Sequence, residues 1–119
     1  RRRQRQMCIR DRDMTCNLCL DAGACRMKVK IIADLDDEYK VKLNIETNCP
    51  NINKIKDKLT VVDPLTEISN SGFAGSSVYE WAKELPHVAC PAPCAIVKAV
   101  EVAGGLGVTR DVQMNFTEE

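Results

Sequence analysis

Residues 27–45, Met27-Lys28-Val29-Lys30-Ile31-Ile32-Ala33-Asp34-Leu35-Asp36-Asp37-Glu38-Tyr39-Lys40-Val41-Lys42-Leu43-Asn44-Ile45, decide the fold. Met27 to Ala33 alternates apolar and basic residues before turning apolar throughout, and Tyr39 to Ile45 alternates cleanly. Successive side chains of a strand point to opposite faces, so the Lys and Asn side chains line one face and Val, Leu and Ile the other. The polar run Asp34 to Glu38 between the two segments is a turn, and together they predict a β-hairpin with one wet and one buried face.

Downstream the period changes. Ile52, Ile55 and Leu59 recur at helical spacing after Cys49-Pro50, with Lys54, Lys56 and Lys58 off the stripe; this predicts a short amphipathic helix. Asp63-Pro64 is a cap and a first helical residue for a second helix, reaching Ser69. Asn70 to Gly75 is expected as loop. Val78, Trp81, Ala82 and Leu85 form a third stripe, opened by Ser76 or Ser77 and closed at Pro86. The longest helix is expected from Pro91 to about Ala103; it is apolar on most faces and therefore largely buried, and Gly104-Gly105 ends it. Val112, Met114 and Phe116 alternate with polar residues as a closing strand. With no internal repeat, the chain reads as one α+β domain, a small antiparallel sheet (the N-terminal hairpin plus the C-terminal strand) packed against three or four helices.

The 119 residues carry 17 basic and 17 acidic side chains, a balance that averages two unlike parts. Residues 1–12, RRRQRQMCIRDR, hold six of the eight Arg. This segment resembles a translated sequencing adapter, so residues 1–13 are expected to be a non-native tail and 14–119 the domain. Setting the tail aside removes six Arg and two Asp, leaving 11 basic and 15 acidic residues and a net charge of −4. Phosphate neutralisation needs clustered Lys and Arg, and base stacking needs aromatic residues, which make up only 4% of the chain. No nucleic-acid partner is expected. No apolar run approaches the roughly eighteen residues of a membrane span, and no membrane partner is expected. The three apolar residues Met7-Cys8-Ile9 are too few for a secretory signal, so the expected location is the cytoplasm, where thiols bind metals or do redox work.

Seven Cys are the chemically distinctive feature. Cys49-Pro50 and Cys90-Pro91 each put a thiol just before a Pro that opens a helix. At an N-cap, free N–H groups and the helix dipole favour thiolate, the form that binds metal or attacks an electrophile. Cys94 stands four residues after Cys90, a helical spacing of about 5–6 Å between Cβ atoms; that gap is too wide for a disulfide and suited to a shared metal. His87 offers a nitrogen ligand from the incoming loop. Cys25 follows the turn signal Asp21-Ala22-Gly23-Ala24 at a strand entry. Cys16 and Cys19 are three apart in a segment with no Gly or Pro to form a knuckle, so they are expected in a strand, facing opposite ways. Gly104 to Gly107 follows a helix rather than opening one and is no phosphate cradle.

Asp21-Ala22-Gly23-Ala24-Cys25, Cys49-Pro50-Asn51 and His87-Val88-Ala89-Cys90-Pro91-Ala92-Pro93 together resemble a family of small proteins of anaerobic prokaryotes, a domain of unknown function, built around AGxCGF, CPN and HAxCPxP motifs. The resemblance runs from about residue 20 to the C-terminus and marks Cys25, Cys49, His87 and Cys90. The chain departs from it in having Arg26-Met27 where the motif has Gly-Phe, and Cys94 where Ser is expected. The order of Cys, hairpin and two Cys-started helices is also similar to TSCPD-type domains.

The leading expectation is a metal site, zinc or an iron–sulfur cluster, with Cys25, Cys49 and Cys90 as ligands and His87 or Cys94 completing it. A second is a thiol-redox or thiol-transfer enzyme with Cys90 or Cys49 as nucleophile. A third is an interaction module in which the thiols are buried helix-start residues.

Overall fold

A computed structural model describes residues 15–68 and 72–118. The N-terminal tail, Cys8 within it and the start of the 70–75 loop lie outside the described residues. Four strands follow one another in chain order as an antiparallel meander: β1 (Thr15–Asp21), β2 (Lys28–Leu35), β3 (Val41–Thr47) and the two-residue β4 (Val61–Val62). The predicted hairpin is β2–β3, in a register that sets Ile31 opposite Ile45 and Ala33 opposite Leu43. Val29, Ile31, Ala33, Val41, Leu43 and Ile45 are all buried, while Lys28, Lys30, Lys42, Asn44 and Glu46 are exposed. Period-two patterning has therefore sorted the faces.

Asp36 ties the hairpin turn, its carboxylate accepting from the backbone N–H groups of Glu38 and Lys40, both at 2.9 Å. Those bonds, the one from Lys40 foremost, hold Asp36 below the usual carboxylate value.

Helix α1 (Pro50–Ile55) continues as a 3-10 turn over Lys56–Leu59 and buries Ile52, Ile55 and Leu59. Helix α2 (Pro64–Glu67) is capped by Asp63, whose side chain accepts from Leu65 N at 3.0 Å. A 3-10 turn (Gly72–Gly75) stands where loop was expected. Helix α3 (Ser77–Ala82) is capped by Ser76, whose Oγ accepts from Tyr79 N at 3.2 Å. Beneath it the buried Glu67 carboxylate accepts from both serine hydroxyls and from the backbone N–H groups of Ser77 and Val78. A carboxylate removed from water is tolerable only when its acceptor sites are filled in this way.

Helix α4 (Ala92–Ala103) lies across the buried faces of β1 and β2. Ala92, Ala95, Ala99 and Ala103 are buried along it, with Ile96 and Val100 between them. The small side chains let the helix sit close to the sheet, and its wide apolar stripe has the sheet on one side and α2 and α3 on the other. Gly104 follows immediately: a Cβ there would stand 2.8 Å from Pro64 Cβ, so the close approach of α4 and α2 requires glycine.

The α+β class and the antiparallel sheet are as expected, but the sheet is made differently. No strand forms over 108–118; these residues carry no helix or strand, and Val112, Met114 and Phe116 are exposed. The outer place beside β2 belongs to β1, which pairs with it from Thr15–Asp34 to Asp21–Lys28.

Candidate functional site

Cys25, Cys49, His87 and Cys90 sit on connections, and Cys94 in a helix. Cys25 lies in the β1–β2 turn and is exposed. That turn closes with Ala22 N donating to Met27 O at 3.0 Å and Arg26 N to Gly23 O at 2.8 Å. Gly23 (φ +88°) and Arg26 (φ +64°) both adopt left-handed backbone, natural for the glycine and costly for the arginine. The Asp21 carboxylate accepts from Gly23 N at 3.0 Å; this bond first, then the Lys28 charge, holds Asp21 below the usual carboxylate value.

Cys49 is the N-cap of α1, with extended backbone (φ −84°, ψ 118°) and Pro50 in the first turn, as its sequence context predicts. Its side chain makes no capping hydrogen bond; it is half-buried against the core. The junction carrying it is bolted to the start of β2. Thr47 Oγ1 donates to Lys28 O at 2.7 Å and accepts from Cys49 N at 3.1 Å, and Asn48 Oδ1 accepts from Lys28 N at 3.0 Å. Since Lys28 ends the turn that holds Cys25, the two thiols occupy adjoining segments.

Cys90 departs from expectation. Pro91, not Cys90, is the N-cap of α4, and the first helical bond runs from Ala95 N to Pro91 O at 3.0 Å. Pro93, which has no N–H to leave unsatisfied, occupies the first turn. Cys90 therefore lies one residue outside the helix, in a turn where its N–H donates to His87 O at 3.3 Å. It is half-buried against the core, while His87 is exposed. Cys90 and Cys94 are thus not a helical i, i+4 pair. Cys94 is exposed in the first turn of α4 and faces toward α3: burial, and then the charge of Cys94, push the Tyr79 hydroxyl up.

Tyr39, in the β2–β3 turn, donates its Oη to Gly104 O at 2.6 Å, fixing the end of α4 at that end of the sheet. The helix packs on β1 and β2 and is about 18 Å long, at about 1.5 Å per residue. Cys25 and Cys49 lie on connections tied through Lys28 at one end of the sheet, and Cys90 and His87 precede the start of α4, the end remote from the Tyr39 tie. Among the described residues, no three His, Cys, Asp or Glu side chains form a group arranged to hold one metal ion.

The remaining two cysteines behave as strand residues. Cys16 is buried and Cys19 exposed, the odd spacing sending them to opposite faces. Cys19 lines a shallow depression of about 540 Å³ on the open face of the sheet, beside Asp21, Lys28, Lys30, Glu46 and Asn48. It stands opposite Lys30, which stands opposite Glu46. A row of thiol, ammonium and carboxylate across three strands was readable only once the β1–β2 register was known.

Fold and connections together define a small α+β protein with thiols and one imidazole on the connections of a four-stranded meander and its helical cover. The chain belongs to the family of unknown function DUF6951, whose model matches residues 16–116. No curated protein and no solved structure matches the chain. No helix among the described residues is long and apolar enough to cross a membrane.

Proposed function

We propose that this protein binds a transition metal, as zinc or an iron–sulfur cluster, at the pole formed by the β1–β2 turn, the β3–α1 junction and the loop before α4. Cys25, Cys49 and Cys90 are the thiolate ligands, and His87 or Cys94 completes the set. What supports this reading is the tie through Lys28 between the turn that carries Cys25 and the junction that carries Cys49, with Cys90 ahead of the end of α4 remote from the Tyr39 tie. The donor set suits the metals named: thiolate and imidazole are the ligands of zinc, and thiolates hold iron–sulfur clusters. A reducing compartment keeps such thiols available.

The ligands lie on turns, not on paired strands. A site of this kind forms as the metal binds, and binding energy supplies the ordering of the loops. Exposed Cys25 and His87 are the ligands with room to move; half-buried Cys49 and Cys90 are the anchors.

Metal analysis and an absorption spectrum of anaerobically purified protein test the proposal. A stoichiometric metal or cluster that is lost in both Cys49→Ala and Cys90→Ala is the expected result. Substoichiometric metal that neither substitution changes would overturn it. The packing of Cys49 and Cys90 against the core favours a second reading, that of an interaction module with structural thiols. In that case both substitutions lower the melting temperature and remove no metal. Nucleophilic thiol chemistry is separated by alkylation of metal-free protein at neutral pH, where it requires Cys49 or Cys90 to react far faster than exposed Cys25.

A further inference from the structure

We propose that Lys56 and Asn53 guard the outer edge of β3, closing it against strand addition by a second copy of this chain. The bonds of the sheet define that edge. β4 pairs with Val41 and Lys42, and just beyond it Leu43 N donates to Thr60 O at 2.8 Å. Along an antiparallel strand, alternate residues turn their N–H and C=O groups to the same side. Leu43 turns its groups to the β4 side, so Ile45 and Thr47 do the same. Continued, the β3–β4 register would bring Lys58 opposite Ile45 and Lys56 opposite Thr47. The chain there is instead helical, forming α1 and its 3-10 turn.

The two outward carbonyls are nonetheless filled. Lys56 Nζ donates to Ile45 O at 3.1 Å, and Asn53 Nδ2 donates to Thr47 O at 3.2 Å. Two side chains thus stand where the N–H groups of a neighbouring strand would. An open edge is a template for a further chain, and lysine is among the residues that commonly blunt one.

The three lysines of this stretch are not equivalent. Lys54 and Lys58 are exposed, whereas Lys56 is half-buried with its head on the sheet. Its charge suits the place, because an incoming strand must pull an ammonium off a carbonyl, a stronger bond than a neutral donor makes. What lies behind the guard is a good template. Val41 to Thr47 alternates apolar and polar residues over seven positions, and its Val, Leu and Ile side chains suit a pleated, half-buried surface. A second copy carries the same edge, which allows the self-complementary pairing of a two-fold contact.

Sedimentation of the full chain across a concentration series, with reductant present to exclude intermolecular disulfides, tests the proposal. With Lys56→Met and Asn53→Ala combined, the self-association constant is expected to rise about tenfold or more. The Ile45 and Thr47 amides should then exchange more slowly as concentration rises. Lys56→Arg keeps a charged donor and should match the parent chain. Lys54→Met removes the same charge from an exposed lysine and should also match it. So should Tyr39→Phe, which loses a hydrogen bond at the other end of β3. If the double variant loses its folded circular dichroism spectrum, Lys56→Met alone carries the test in the same direction. Self-association unchanged by the loss of Lys56 Nζ would overturn the proposal. An equal rise in Lys54→Met or Tyr39→Phe would trace the effect to net charge or lost stability and overturn it too. Association that leaves the Ile45 and Thr47 amides unprotected would do the same.

Discussion

At the scale of single residues, two positions weigh on the stability in opposite senses. Arg26 holds a left-handed backbone (φ +64°) in the turn that presents Cys25, in the place where the motif this chain resembles has glycine. Glycine enters that region without the steric penalty other residues meet. Arg26→Gly is therefore expected to stabilise the fold by about 0.5–1 kcal/mol, the penalty being partly returned through the freer unfolded chain; thermal unfolding measures it. Glu67 is the opposite case. It is 5% exposed and fills the donors that open α3. Glu67→Ala leaves Ser76, Ser77 and Val78 donors unsatisfied in the interior and is expected to cost about 2–4 kcal/mol, read as a drop in the denaturation midpoint at unchanged slope. The cue for Glu67 in sequence was slight. A carboxylate nine residues before a Ser-Ser pair has no local signature, because the link between α2 and α3 is tertiary.

At the scale of elements, the tie between α4 and the hairpin turn is the most exposed to test. Tyr39→Phe removes the bond from Tyr39 Oη to Gly104 O and nothing else, an expected loss of about 1 kcal/mol. Gly104→Ala drives a methyl to 2.8 Å from Pro64 Cβ; separating α4 from α2 is expected to cost about 1–3 kcal/mol. Both are measurable by chemical denaturation. The elements themselves were largely legible. The β2–β3 hairpin, α1, the caps Asp63 and Ser76, and the span of α4 follow from period and from Pro, Ser and Asp at helix starts. Two things were not. The alternation of Val112, Met114 and Phe116 is a strand signal as good as that of Cys16, Leu18 and Leu20, and pattern alone cannot say which of two such segments β2 will accept. The cap of α4 shifted by one residue because Cys90-Pro91-Ala92-Pro93 offers two prolines, and either can open a helix. Of the candidate site, the residue types and their placement at connections were readable. That the Cys25 turn and the Cys49 junction are tied through Lys28 was not, since it rests on bonds between residues 19–20 positions apart.

For the whole molecule, acid is the informative perturbation. Asp21 and Asp36 tie the two turns of the meander, and both are held below the usual carboxylate value of 3.8. Their contribution is complete above that value and is lost as pH falls through the lower folded-state values. Stability is accordingly expected to decline with pH below about 3.8, and less so in Asp36→Asn; melts across a pH series would show it. A meander has one further consequence, which concerns time. β1, β2 and β3 lie within residues 15–47 and each pairs with its neighbour in sequence, so the sheet is assembled from local contacts, the kind that form fastest. Its cover, α4, is the last regular element of the chain. At ribosomal rates of roughly 5–20 residues per second, the roughly 55 residues between β3 and the end of α4 take about 3–11 s to appear. Throughout that interval Val29, Ile31 and Ala33 form a finished apolar sheet face without its helix. During synthesis that face is where a chaperone or a misplaced neighbour would first take hold.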